Sequence, residues 1–305
     1  MMRVRNPEAG MSLVELMLAV SILMLISGAM LRGTLDMTQL SATASNRAEM
    51  FAGVRNATSL LSQEVGQAGR VALPAPVTTG GAVAGPGAST VALSSVAQMF
   101  VGMRLVVDFG VNEETVTLTA VDTVGSTITA SFLNAHAAGV PVRARGGFAA
   151  GVVPTTMANG STATTLKIVG DIDGNGTMRY VEYNCDFANL RLTRNAMAWD
   201  AGAKPAVTVE DILLDNLLVN PGGTPCFDYQ EDTFGAPAVT YVIGVAITVT
   251  VQTGDVDPVT GQFQTETKAL LNVAPRNVFN VWQLASLGIN SRVQPLPAAT
   301  LALLP

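Results

Sequence analysis

The sequence predicts an α+β protein. A long N-terminal helix, membrane-spanning in its first half and amphipathic in its second, packs on an antiparallel β-rich head with an inserted β-module. Three observations predict this. Met11 to Leu31 is an unbroken apolar run, small and apolar residues then recur every three to four positions as far as Ala68, and beyond Arg70 the chain turns to Gly, Pro and alternating β-branched segments. With 305 residues and 49% hydrophobic content the chain can bury a core, and 5% aromatics with 29 Gly fits sheets of small residues joined by many turns.

The apolar run MSLVELMLAVSILMLISGAML is interrupted only by three serines and Glu15. At about 1.5 Å per residue it spans roughly 31 Å, the thickness of a bilayer's hydrocarbon core. Arg3 and Arg5 precede it, which predicts a cytoplasmic N-terminal end and sends the rest of the chain across the membrane. A secretory signal fits less well, because Arg32-Gly33-Thr34 continues into helical sequence where cleavage chemistry would be expected. Glu15 costs about 2.5 to 3.5 kcal/mol inside such a span and so calls for a partner. A cut after Gly10 would supply one, the new α-amine of Met11 on a neighbouring helix. Snorkelling to the headgroups is the other reading.

Gly10-Met11-Ser12-Leu13-Val14-Glu15-Leu16, at the head of an unbroken apolar helix, resembles the cleavage and methylation signature of type IV prepilins and of type II secretion pseudopilins. Met11 stands where phenylalanine is commoner. The resemblance implies cleavage after Gly10 by a prepilin peptidase, methylation of the Met11 nitrogen, and a role for Glu15 in recruiting and assembling subunits. Residues 1–10 are then the leader, 11–31 the transmembrane and filament-core helix, and 32–70 the amphipathic helix.

Within that second half Leu40, Ala44, Ala48, Phe51, Val54, Ala57, Leu61, Val65 and Ala68 mark the face expected to cover a globular domain. Gly28, Gly33 and Gly53 are its weak points, each costing about 1 kcal/mol relative to Ala. Residues 71–84, with Leu73-Pro74-Ala75-Pro76 and Gly80-Gly81, read as a linker, and 85–147 as the inserted β-module with strands at 103–109, 114–121 and 126–132. His136, the only histidine, is assigned a turn or packing role, and Glu113-Glu114 a solvated strand end. Residues 148–280 are expected to form the head proper, whose segments at Tyr180–Tyr183, Asn189–Arg194, Asp211–Leu217 and Cys226–Tyr229 resemble strands of minor pilins and pseudopilins, while Leu271–Asn277 resembles the Pro-Arg-Asn sequence that ends many of these domains; 281–305 is a tail, with Trp282 and Leu284 available to pack on the sheet.

Two chemical features stand out in the head. Cys185 and Cys226, without CxxC spacing, are read as one disulfide, worth roughly 3 to 4 kcal/mol and consistent with export; the alternative is two buried thiols. Asp171, Asp173, Asn175, Thr177 and Glu182 match the calcium-loop pattern D-x-[DN]-x-[DN]-G-x5-E. The flanking segments read as strands, and a polar hairpin turn accounts for Asp-Gly-Asn-Gly as well. Calcium is thus the one candidate cofactor, and none is required.

A net charge of −6 without a basic run argues against nucleic-acid binding. No nucleophile, base or metal cluster suggests an enzyme. The expectation is a minor pilin, partnered by prepilin peptidase and other pilins, resident in the inner membrane with its head outside the cytoplasm before joining a filament at the cell surface or in the periplasm. A minor pseudopilin of a type II secretion system is the close alternative. A membrane-anchored calcium-dependent adhesin is the alternative from another class.

Overall fold

The computed structural model describes residues 11–235 and 237–305; the leader, with Gly10, lies outside them. Its elements are α1 (Leu13–Gln67), β1 (Val77–Thr78), β2 (Gly87–Ala92), β3 (Arg104–Val107), β4 (Glu114–Asp122), β5 (Thr127–Phe132), β6 (Pro141–Ala144), β7 (Gly147–Phe148), β8 (Thr165–Gly170), β9 (Arg179–Asp186), β10 (Arg191–Ala198), β11 (Ile212–Asp215), β12 (Leu217–Leu218), β13 (Phe227–Phe234), β14 (Val239–Gln252), β15 (Thr265–Val273), α2 (Arg276–Ser286), β16 (Val293–Gln294) and α3 (Ala298–Leu303). The long N-terminal helix and β-rich antiparallel head expected from the sequence are present. The chain divides into two compact units, one of residues to Met50 with the loop Thr253–Gln264, the other of Phe51–Gln252 with Thr265–Pro305.

In the first unit α1 is helical without a break through Gly28 and Gly33. Ser21 and Thr34 each return a hydroxyl to the carbonyl four residues back, Met17 and Met30, at 2.8 Å, so both polar side chains are satisfied within the helix.

In the second unit the face of α1 through Val54, Ala57, Leu61, Val65 and Ala68 is buried as its spacing requires, whereas Phe51 is exposed. The helix stops at Gly69, which adopts φ +83°; a Cβ there would lie 2.8 Å from Val278 Cγ2. Only glycine satisfies both the left-handed turn and that approach. Asn277 of α2 donates to the terminal helix carbonyls of Gln67 and Ala68 at 3.1 and 3.4 Å, giving the Pro275-Arg276-Asn277 segment a capping function.

Strands β1-β6-β3-β4-β5-β2 form one sheet, β11-β10-β9-β8 a second, and β12-β14-β13 a third to which β15 adds by pairing with β14. Each of these pairings is antiparallel, while β16 pairs with β7 in parallel. Residues 71–84 do not behave as a linker. Val71, Val77 and Val83 are buried, and β1 pairs with β6 through Val77↔Val142. Nor does the 85–147 module keep a core of its own: Leu105, Leu118 and Phe132 share one apolar cluster with Val153, Tyr180, Trp199 and Leu303. Pro and Gly punctuate these stretches, but alternating valines still supply an inward face. The tail is structured too, with Val281, Ala285, Leu303 and Leu304 buried and Trp282 Nε1 donating to Asp232 at 2.7 Å.

Candidate functional site

The first turn of α1 begins with Ser-x-x-Glu. Ser12 Oγ accepts from the Glu15 amide at 3.2 Å, and Glu15 Oε2 accepts from the Ser12 amide at 3.1 Å. This reciprocal capping box satisfies two of the donors that every helix start leaves open, and it sets a carboxylate at the positive end of the helix dipole. The acid in the apolar run therefore already has a local partner. From Met11 to Ala42 every residue is exposed, Leu13, Val14 and Leu25 each at 75%. As far as Leu31 that exposed surface is apolar on all sides, the character of a helix built for a bilayer or for other helices, and Arg32 and Asp36 follow it. Among the described residues α1 is the one helix long and apolar enough to cross a membrane.

Further along the same unit the Thr253–Gln264 loop grips α1. Asp257 accepts from Thr43 Oγ1 and Gln264 Nε2, each at 2.6 Å, from Thr260 Oγ1 at 2.9 Å and from the Val259 amide at 3.0 Å, and Arg47 donates to Gln264 Oε1. The Thr43 hydroxyl, then the Val259 amide, hold the Asp257 carboxyl well below the usual carboxylate range.

In the second unit α1 buries a charge. Glu64 receives Arg194 of β10 through Nη2 at 2.6 Å and Nε at 3.1 Å, and the Tyr183 hydroxyl of β9 donates to it. Burial, reinforced by Glu64, pushes the Tyr183 phenol far up; for Arg194 the pull of Glu64 outweighs desolvation and raises its pKa. This triad fixes the rotation of the helix on the second sheet. Its sequence signal was an acid at the inward spacing Leu61, Glu64, Val65, Ala68.

Cys185, near the end of β9, is disulfide-bonded to Cys226, the residue before β13, joining the second and third sheets. The residues of the calcium-loop pattern are engaged with other partners, and the Asn175 amide donates to Asp171 Oδ1 at 2.9 Å. Asp171 pairs with Arg70 at 3.3 Å, Asp173 with Arg179 at 2.7 Å, and Glu182 with Lys204 at 2.7 Å, while Asn175 Oδ1 accepts from the Thr177 amide at 2.9 Å. Among the described residues no three His, Cys, Asp or Glu side chains are placed to hold a metal.

The structure corrects the assignment of Glu114 to a solvated strand end and adds a charge to the packing role of His136. Both are buried, with Asp108. His136 Nδ1 lies 3.0 Å from Asp108 Oδ2, and Nε2 lies 2.7 Å from Glu114 Oε1. An ionised carboxylate only accepts, so an imidazole bonded to two of them donates from both nitrogens and carries a charge. Burial opposes that charge, but the hydrogen bonds to Asp108 and Glu114 outweigh it and raise the His136 pKa. The reciprocal bond from His136, then the Phe109 amide, lowers that of Asp108. Alternation along β4 carried the signal, because Glu114, Val116 and Leu118 share the inward face.

Comparison with known proteins adds one match. The prokaryotic N-terminal methylation motif matches residues 5–31, the stretch that holds Gly10, Met11 and Glu15 and the first turns of α1. No curated protein and no solved structure matches the chain.

Proposed function

We propose that this chain, a type IV prepilin-like protein by its methylation motif and long apolar helix, is a minor pilin. In this reading it is cut after Gly10 by prepilin peptidase and methylated on Met11. It waits in the inner membrane with its head outside the cytoplasm, then enters a filament by packing α1 among the helices of other pilins. The role is structural. The observation that carries it is the exposure on every side of the apolar stretch of α1 from Met11 to Leu31, which suits a helix covered by lipid first and by neighbouring helices afterwards.

Glu15 supplies register. In lipid its carboxylate needs more than the single amide bond from Ser12, and the α-ammonium released by cleavage on an adjacent subunit answers its charge. A minor pseudopilin would use the helix in the same way; the large head of a 305-residue chain suits a subunit of low copy number in either machine. The calcium-dependent adhesin reading has less support, because Arg70, Arg179 and Lys204 already answer the carboxylates it would need. The test is the mass and N-terminal sequence of the protein recovered from membranes or sheared filaments. Methylated Met11 at the N-terminus is the expected result, and an intact leader or a cut beyond Leu31 would refute it.

A further inference from the structure

We infer that the β3–β4 end of the six-stranded sheet is a second membrane-contacting surface, one that seats on a bilayer of anionic phospholipid independently of α1. The turn between these strands carries Phe109, 66% exposed, and Val111, 98% exposed, and Leu133 beyond β5 is 77% exposed. Phe109 and Leu133 are held out by a rigid base: Asp108 adopts φ +69°, its Oδ1 accepts from the Phe109 amide at 2.8 Å, and its carbonyl accepts from Arg143. Glu114, clamped by His136, accepts from the Leu133 amide at 2.7 Å. The buried ionic knot thus fixes the backbone on which Phe109 and Leu133 are displayed.

Charge beside the turn selects the partner. Arg143, Arg145 and Arg292 converge on the single carboxylate of Glu113, at 3.1, 3.4 and 4.0 Å, and each keeps a quarter or more of its side chain in solvent. With the buried knot counted, Arg143, Arg145, Arg292 and the His136 imidazolium face Glu113, Asp108 and Glu114, which leaves a local excess of one positive charge in a chain whose net charge is −6. Protruding apolar tips above a basic rim match a headgroup layer that accepts shallow apolar insertion and attracts arginine. A protein partner would need roughly 800 Å² of complementary surface on each side. Three convex tips offer far less, whereas a deformable bilayer conforms to them.

The test uses the full chain with α1 held in a nanodisc of neutral phosphatidylcholine, so that only other surfaces can recruit a second membrane. Sucrose-loaded vesicles are then added, either of phosphatidylcholine alone or with phosphatidylglycerol as about a third of the lipid. The nanodiscs should sediment with the anionic vesicles, not with the neutral ones, and less as salt is raised. Arg145→Gln and Arg292→Gln should each weaken sedimentation about fivefold, and Phe109→Ser with Val111→Ser by about tenfold or more. All four positions are at least partly solvent-exposed, so an unchanged melting curve will certify folding; if the double serine variant melts early, the arginine variants decide. Equal sedimentation with neutral vesicles, no sedimentation of the unaltered chain, or variants that behave like it would overturn the inference. So would binding to immobilised polyglutamate as tight as to the vesicles, which would make an acidic protein the partner.

Discussion

Replacing His136 by glutamine perturbs the most concentrated buried charge in the head. The imidazole side chain is fully buried, and the carboxylates of Asp108 and Glu114 are only 9% and 5% exposed. Glutamine is neutral, so whatever hydrogen bonds its amide keeps, both carboxylates are left buried without the counter-charge of the imidazolium. Breaking a buried pair in this way costs about 3 to 5 kcal/mol. For a domain of this size that lowers Tm by roughly 6 to 20 °C. The pH dependence supplies a second signature. A histidine whose pKa rises above 6.5 on folding contributes stability that is complete below that value and is lost as pH rises through the folded value. Circular-dichroism melts of the full chain in detergent, run from mildly acidic to alkaline pH, should show a stability step in the unaltered protein and none in His136→Gln. If the variant melts within about a degree of the parent at mildly acidic pH, where the cost should be largest, the reasoning from charge and burial is wrong.

Three further outcomes follow from the head. Reducing the Cys185–Cys226 bridge should cost roughly 3 to 4 kcal/mol, read as an earlier melt with reductant, and a non-reducing peptide map should show the linked pair; a map unchanged by reduction would refute it. Glu64→Gln should destabilise the head by about 3 kcal/mol by stripping Arg194 of its counter-ion, and chemical unfolding that matches the parent would show that the triad does not orient α1. Because Asp171, Asp173 and Glu182 are already paired, melts in excess calcium and in chelator should coincide; a rise in Tm with calcium would mean that these ion pairs open to admit the metal.

Local pattern made the helix legible in the sequence. The 21-residue apolar run and the inward spacing of Val54, Ala57, Leu61, Val65 and Ala68 depend only on residues a few positions apart. So do the strands at 114–122, 127–132 and 239–252, which alternate within themselves. What composition obscured was tertiary. Pro74, Pro76 and the glycines of 71–84 mark turns, and nothing local tells that Val77 pairs with Val142 some 65 positions away. The partners of the buried acids are tertiary too: spacing places Glu64 and Glu114 on inward faces, but only distant chain brings Arg194 and His136 to them, as it brings Thr43 to Asp257. The Ser12–Glu15 box lies within one turn, and its S-x-x-E signature stands in the sequence. The sequence also brought Asp171 and Glu182 within one pattern that the hairpin then separates, since Glu182 sits in β9 and turns to Lys204.

In the proposed function the charge of Glu15, rather than its hydrogen bond to Ser12, joins one subunit to the next. Glu15→Gln separates the two, because glutamine at the third helical position still completes the capping box while carrying no charge. The measurement is the share of the chain in sheared filaments against the share left in membranes, in cells that make the variant and confirmed by mass spectrometry to be cut and methylated at Met11. The processed variant should stay in the membrane fraction and be nearly absent from filaments. Filaments holding as much of the variant as of the parent would contradict it.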